Sequence, residues 1–152
     1  MVKVLFKKLN SKAQIPSYKT DGSSGLDLMA LLEKPERLKP GDTSIIPTGI
    51  ALAIPKDTEI QIRPRSGLAA KSNISVLNTP GTVDSDYRGE IKIILHNHGK
   101  NDFIVNDGDR IAQMVLMPIL KAEFELVDEL PETLRGSGGF GSTGKWKKNY
   151  QK

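Results

Sequence analysis

The sequence has no cysteine and only two histidines among its 152 residues. Without cysteine the chain has no disulfide framework, no thiolate nucleophile and none of the usual cysteine zinc sites. We do not expect a histidine-based metal site, because the chain has so few histidines. No segment approaches the roughly 20 consecutive apolar residues that a membrane-spanning helix needs. We therefore expect a globular protein of a reducing compartment, the cytoplasm, without a membrane partner.

Aromatic residues are also scarce, at 5%, and the net charge of +4 is confined to one end of the chain. Residues 135–152 hold five basic residues and no acidic one, so the first 134 residues have a net charge of −1. Nucleic-acid-binding domains carry a basic surface on the folded domain and use aromatic rings to stack bases. We expect no nucleic-acid partner. A β-domain that binds nucleic acid through a basic tail is the alternative from another functional class.

Long helices are nearly excluded, because nine prolines are spread between positions 16 and 131. Between the prolines, short segments alternate apolar and polar residues, which is typical of strands. The predicted strands are 49–54, 59–62, 90–95, 101–105, 110–117 and 122–127. One helix is predicted over 66–72, with Ser66 as its N-cap. The pattern predicts an all-β fold, a distorted jelly roll or β-barrel of short antiparallel strands with one short helix.

The composition changes near residue 135, where RGSGGFGSTGKWKKNYQK has five glycines in 18 residues. So few apolar side chains cannot offset the conformational entropy that ordering the segment would cost. We therefore predict two parts, a β-domain over 1–134 and a flexible, glycine-rich, basic C-terminal arm over 135–152.

Four segments of the β-domain carry residues that suit phosphate chemistry. SGLDLMA (24–30) has Asp27 between two leucines, and PRSGLA (64–69) has Arg65 beside the predicted helix start, where free N–H groups favour anions. GTVDSDYRGEI (81–91) has paired carboxylates beside a tyrosine, which suits water activation. RIAQMV (110–115) has Gln113 in an apolar strand. Each also has a plainer interpretation: a solvated strand face, a surface arginine, an exposed hairpin or a hydrogen-bonded core amide.

In their order along the chain, these four segments and RGSGGFGSTG (135–144) resemble the five motifs of the trimeric deoxyuridine triphosphatases (dUTPases). The family hydrolyses dUTP to dUMP and pyrophosphate with Mg²⁺, which keeps uracil out of DNA and supplies dUMP for dTTP synthesis. The resemblance implies Mg-assisted attack of water at the α-phosphate. It also implies a homotrimer in which one chain supplies motifs one, two and four, a second the third motif, and a third the arm.

The resemblance also implies a role for each matched residue. Asp84 would activate the attacking water, with Gln113 contacting the α-phosphate and Arg135 the γ-phosphate as the other catalytic residues. Asp27 would hold Mg²⁺ through water, most ligands of the ion coming from the triphosphate. The remaining implied substrate-binding residues are Arg65, Ser66 and Gly67 for phosphates, Tyr87 for deoxyribose, Asn78, Thr82, Val83 and Lys92 for the nucleoside, and Phe140, Gly141, Ser142 and Thr143 in the arm.

A dCTP deaminase of the same fold is the nearest alternative within this resemblance. The Asp84–Tyr87 spacing and the glycine-rich fifth motif favour the hydrolase, because the deaminases use a catalytic glutamate in a different setting.

Overall fold

The computed structural model describes residues 2–139 of the chain. The described residues fall into two units, 2–120 and 121–139, which are taken separately below. The regular elements of the described chain all lie in the first unit: β1 (Leu5–Lys8), β2 (Leu26–Met29), β3 (Glu36–Leu38), β4 (Thr43–Pro47), β5 (Ile50–Ala53), β6 (Thr58–Arg63), α1 (Ser66–Ser72), β7 (Ile74–Val76), β8 (Gly81–Val83), β9 (Lys92–Asn97), β10 (Phe103–Val105) and β11 (Arg110–Pro118).

The strands form four antiparallel sheets. The largest, with strand order β2-β11-β6-β8, is called the site sheet below, and the three-stranded sheet β4-β9-β7 is called the β9 sheet. β1 pairs with β5, and β10 pairs with β3. Within residues 2–139 these sheets do not close on one another, so the predicted all-β class is confirmed with open sheets instead of a closed barrel.

Aliphatic side chains fill the core, as expected of a chain with few aromatic residues. The side chains with the least exposure include Leu38, Ile93, Leu95 and Val105, which come from β3, β9 and β10. The one polar side chain among them is Asn97, whose amide donates to Leu38 O at 3.0 Å and Asn101 O at 2.9 Å. Because a buried amide costs free energy only when it lacks partners, Asn97 can join the ends of β3 and β9 inside the core.

Most of the predicted elements are present with small changes at their ends. The strands predicted over 49–54, 59–62, 90–95, 101–105 and 110–117 correspond to β5, β6, β9, β10 and β11, and the helix has the predicted span. The N-cap is wrong: Arg65 has the extended backbone of a cap, at φ −88° and ψ 126°, and Ser66 is already helical. At seven residues, α1 falls far short of membrane thickness, and the described chain has no longer helix.

The strand predicted over 122–127 is wrong. This segment lies in the second unit and has no regular structure. A strand is held by hydrogen bonds to a neighbouring strand, and residues 121–139 contain no strand that supplies them. The apolar side chains that suggested a strand are almost fully exposed, Phe124 at 94% and Leu126 at 99%.

Candidate active site

An acidic side chain and two arginines meet where β2 and β11 pair. Asp27 accepts a bond from Arg65 Nε at 2.9 Å on one carboxylate oxygen and from Arg110 Nη1 at 3.3 Å on the other. Arg65 Nη1 also donates to the backbone oxygen of Arg110 at 3.2 Å. Only 16% of the Asp27 side chain is exposed, so the carboxylate is held in a fixed position and its charge is balanced.

Gln113 lies beside Asp27, because the two residues are directly paired between β11 and β2. Its amide nitrogen donates to Pro64 O at 2.9 Å, at the start of the turn that carries Arg65. Gly25 makes room for the amide, since a Cβ at that position would collide with Gln113 Oε1. Asp27, Arg65, Arg110 and Gln113 are called the aspartate–arginine cluster below.

A register shift in β11 explains how Arg110 joins this cluster. Arg110 and Gln113 are three residues apart, so simple alternation would direct them to opposite faces of the sheet. The pairing with β2 shifts by one residue between Arg110 and Ala112. Such a bulge changes which side chains share a face. Sequence analysis missed Arg110 as a site residue because a strand pattern does not reveal where a bulge falls.

Ser66 and Gly67 are the first two residues of α1, directly after Arg65, and both are exposed. Within residues 2–139, the bonds of Arg65 use two of its five N–H donors. The remaining donors and the first amides of the helix are available to an anion. This arrangement suits the phosphate groups that the PRSGLA segment predicts.

A groove of about 260 Å³ lies at the end of β8 and contains most of the predicted nucleoside residues. Tyr87 closes a tight turn, its N–H donating to Asp84 O at 3.2 Å and its hydroxyl to Glu90 O at 3.0 Å. Asp84 and Tyr87 are both exposed here, Tyr87 by 46%. The remaining lining residues are Ile45, Thr82, Val83, Glu90, Ile91, Lys92 and Ile94. We call it the Asp84 groove.

Glu90 organises one wall of this groove and was not among the predicted site residues. One of its carboxylate oxygens accepts the Gly49 N–H at 2.8 Å, and the other lies 3.6 Å from Lys92 Nζ. Gly49 has φ +69°, a backbone conformation that favours glycine, so its hydrogen bond to Glu90 depends on glycine at position 49. Asn78 lies against Gly81 just before β8, with its amide nitrogen 3.1 Å from where a Cβ of Gly81 would be.

The Asp84 groove and the aspartate–arginine cluster lie at opposite ends of the site sheet in one chain. Val83 pairs with Ile60 on β6, so Asp84 follows at the level of Glu59, whereas Gln113 pairs with Arg63. Four residues of strand separate these two levels, roughly 13 Å. One chain therefore does not bring Asp84 and Gln113 to the same water molecule.

Among the predicted site residues of the arm, Arg135 is the one that lies within the described residues. Its Nε donates to Gly138 O at 2.8 Å, and the N–H of Gly138 donates to Arg135 O at 3.1 Å. The other predicted arm residues, Phe140, Gly141, Ser142 and Thr143, lie outside the described residues.

The fold and the two half-sites define an all-β domain with an anion-binding arginine cluster and a separate carboxylate–tyrosine groove. A protein-family model described as dUTPase matches residues 11–144. The chain therefore belongs to the dUTPase family.

Relatives of known name cover most of the chain. It is 57% identical to a deoxyuridine 5′-triphosphate nucleotidohydrolase from Gloeothece citriformis, and the match covers 94% of this chain and 97% of the relative. It is 56% identical to the enzyme of the same name from Maricaulis maris, and that match covers 86% of this chain and 87% of the relative. A solved dUTPase of Staphylococcus bacteriophage 80alpha, a mutant with dUpNHpp, has a TM-score of 0.85 at 24% identity and covers 94% of this chain and 99% of that one. The shared fold confirms the predicted jelly roll.

Proposed function

We propose that this protein hydrolyses dUTP to dUMP and pyrophosphate by Mg-assisted attack of water at the α-phosphate. In the cell this reaction would limit uracil incorporation into DNA and supply dUMP for dTTP synthesis. Family membership carries the proposal, because curated relatives more than 50% identical over most of the chain are named for this activity.

Asp84 is the proposed general base, and the Asp84 groove is the proposed nucleoside pocket. A base must come within hydrogen-bond reach of the water that it activates. The Asp84 carboxylate is exposed and lines the groove, so a water molecule has access to it, which supports the proposal. Tyr87 would pack on the deoxyribose, and its turn is held by two hydrogen bonds. Asn78, Thr82, Val83 and Lys92 would hold the base and sugar.

The aspartate–arginine cluster is the proposed phosphate site. Arg65, Ser66 and Gly67 would bind phosphate oxygens, and Gln113 would contact the α-phosphate and the attacking water. Phosphoryl transfer leaves little covalent work to the protein, so positioning and charge neutralisation account for most of the catalysis. The fixed Arg65 and the Gln113 amide held against Pro64 O supply rigid donors of this kind.

The Asp27 carboxylate also fits a Mg²⁺ ion that is bound through water. Mg²⁺ keeps several waters and takes one or two carboxylates together with substrate phosphates. Residues 2–139 contain no group of three or more acidic or histidine side chains that would form a protein cage, and Asp27 has lone pairs left after its two arginine bonds. Asp27 would hold the ion, which when bound supplies charge neutralisation at the phosphates. A related dUTPase of phage phi11 of S. aureus is described with a structural Mg(II) ion, at a TM-score of 0.77 and 22% identity.

The glycine-rich arm, 135–152, is the proposed lid over the site that the 1–134 domain forms. Arg135 would reach the γ-phosphate, Phe140 would cover the uracil, and Gly141, Ser142 and Thr143 would lie near the phosphates. Ordering a lid over bound substrate excludes bulk water.

We further propose a homotrimer with each active site shared between chains. The separation of Asp84 from Gln113 along the site sheet supports this, because a second chain must bring the missing half of the site. The exposed apolar side chains of the second unit, Phe124 and Leu126 among them, also support it, since exposed apolar surface of this extent usually has a partner. Cytoplasmic location, and the lack of a nucleic-acid or membrane partner, stay predictions.

A pyrophosphate-release assay across the deoxynucleoside triphosphates, with and without Mg²⁺, tests the reaction. We expect release from dUTP that depends on Mg²⁺, and far slower release from dCTP, because cytosine presents a donor where uracil presents an acceptor. Ammonia from dCTP without pyrophosphate from dUTP would instead indicate the deaminase. Salt-sensitive DNA binding without nucleotide turnover would indicate the nucleic-acid-binding alternative.

A further inference from the structure

We propose that Glu90 is a positioning residue that sets how strongly the Asp84 groove prefers deoxyribose to ribose. The inference rests on the proposed function, in which Tyr87 packs on the sugar. It deepens that function by naming the residue that fixes the Tyr87 ring in place. Glu90 acts through Tyr87, and no contact with the reacting atoms is required of it.

The segment that carries Tyr87 lies outside the sheets. Residues 84–91 connect β8 to β9 and contain no helix or strand. Arg88 Nη1 donates to Ser85 O and to Tyr87 O, each at 2.8 Å. These bonds hold the segment in its own turn, but they do not fix it to the rest of the domain.

The Glu90 carboxylate fixes this segment to a neighbouring turn. Its Oε1 accepts the N–H of Gly49, which lies between β4 and β5, at 2.8 Å. Among the hydrogen bonds of residues 85–90 in the described chain, this is the one that reaches a distant segment. Only 23% of the Glu90 side chain is exposed. Because an N–H bond to a carboxylate is stronger than one between neutral groups, it can hold the segment against the domain.

The Tyr87 ring is fixed in turn by the backbone of Glu90. Its hydroxyl donates to Glu90 O at 3.0 Å, so one residue connects the ring to Gly49 through its carbonyl and its carboxylate. The ring also lies against Gly89, where a Cβ would collide with the ring and its hydroxyl. Tyr87 is about half exposed, so these contacts, and not burial in the core, determine where the ring lies.

A fixed ring is what lets such a surface separate deoxyribose from ribose. The two sugars differ by one hydroxyl, and an apolar surface rejects an added hydroxyl by only about 10²-fold. That rejection requires the ring to stay in place, because a ring that can retreat makes room for the extra oxygen. Loss of the Glu90 bond should therefore weaken the preference for deoxyribose more than it weakens the binding of the deoxynucleotide.

Glu90 also faces Lys92, whose Nζ is 3.6 Å from its second carboxylate oxygen. The Lys92 side chain is half-exposed, and ion pairs so open to solvent contribute little. We therefore assign the effect to the hydrogen bond with Gly49. Glu90→Gln separates the two contacts, because it keeps an oxygen acceptor for the Gly49 N–H and removes the charge that faces Lys92.

The test measures the ratio of the dissociation constants of UMP and dUMP by titration calorimetry of the full chain. These two nucleotides differ only in the 2′-hydroxyl, and their binding requires no turnover. Glu90→Ala removes the acceptor, Glu90→Asp withdraws it by one methylene, and Glu90→Gln retains it. Glu36→Ala is the matched control, because Glu36 is also half-buried, accepts a bond from Ser44 Oγ at 2.8 Å and lies on β3, outside the groove lining.

We expect a wild-type ratio of about 10² in favour of dUMP. Glu90→Ala and Glu90→Asp should lower it by about tenfold, the usual effect of losing one hydrogen bond. Glu90→Gln and Glu36→Ala should keep it within about twofold, since both retain the acceptor for Gly49. A purely structural role for Glu90 would lower the melting temperature and both affinities together and leave the ratio unchanged.

A folded Glu90→Ala variant with the wild-type ratio would overturn the inference, and so would a Glu90→Gln ratio as low as that of Glu90→Ala. If Glu90→Ala does not fold, the ratio of Glu90→Asp decides in the same way.

Pyrophosphate release from dUTP is measured separately on the wild-type protein. Preference for dUMP without release would contradict the proposed reaction and leave the role of Glu90 standing. Equal binding of UMP and dUMP would overturn the role of Glu90, whatever the turnover of dUTP.

Discussion

At the scale of single residues, the position of Gln113 depends on the absence of a side chain at Gly25. The Gln113 amide occupies the space that a Cβ at Gly25 would fill, and it is held there by Pro64 O. The atom in conflict is the end of a flexible side chain, so an alanine would move Gln113 without disturbing the backbone. Gly25 thus controls the position of Gln113 in the candidate site.

Gly25→Ala should lower dUTP turnover by about 10²-fold, because a displacement of about 1 Å at a positioned group can cost that much. The melting temperature should change little. Gly22→Ala is the matched control, since a Cβ there has no neighbour within 4 Å. Steady-state kinetics and thermal unfolding of both variants check this. Wild-type turnover in Gly25→Ala would remove Gln113 from its proposed catalytic role.

At the scale of elements, turns and strand ends carry the site, and the strands between them provide rigidity. Arg65 lies between β6 and α1, Asp84 follows β8, and the bulge of β11 orients Arg110. The hydrophobic alternation of β6 and β11 could be read from the sequence, because alternation is a local property. The bulge could not, because it depends on pairing with β2.

Deleting residues 135–152 tests the arm as an element. All regular elements of the described chain lie before it, so the melting temperature should stay close to that of the full chain. Turnover should fall by about 10³–10⁵-fold, the usual effect of removing an arginine from phosphoryl transfer. Deleting only 145–152 keeps Arg135 and the fifth motif, and this shorter variant should retain far more activity. Equal activity in all three proteins would contradict the proposed lid.

At the scale of the whole molecule, the site sheet separates the two halves of the candidate site. The segments that carry Asp27, Arg65 and Gln113 meet in the aspartate–arginine cluster. The segment that carries Asp84 follows β8, which runs antiparallel to β6, so it lies at the other end of the sheet. The shared site proposed above would bring the two halves together through assembly.

Mixing two inactive variants tests sharing directly. Asp84→Asn removes the proposed base, and Arg65→Ala removes a phosphate ligand while Arg110 still pairs with Asp27. Each alone should have little activity. Trimers reassembled from an equal mixture should recover about a quarter of wild-type turnover. A site is intact only when its Asp84 comes from an Arg65→Ala chain and its Arg65 comes from an Asp84→Asn chain, and random assembly gives each condition about half of the time. Each variant assayed alone at the same total protein concentration is the control, and an inactive equal mixture would argue against shared sites.

The sequence by itself determined the class of fold, the helix and the residues of the motifs. Prolines and the alternation of apolar and polar residues are local features of the sequence. They favour short strands before any contact between distant segments is known. They were insufficient for segment 122–127, which has the alternation but no neighbouring strand, and for the N-cap, which is Arg65 instead of Ser66. The strands β1, β3, β4, β7 and β8 were also missed. β3, β7 and β8 have three residues each, and β4, TSIIP, does not alternate apolar and polar residues.

Only the tertiary structure decided which of those residues meet. It paired Asp27 with two arginines, brought Ile45 and Ile94 to the Asp84 groove, and placed Asp84 and Gln113 at opposite ends of one sheet. The physical reason is that strand register and bulges depend on contacts between segments distant in the chain. A local pattern shows which face of a strand a side chain occupies, but it does not show which residue lies opposite.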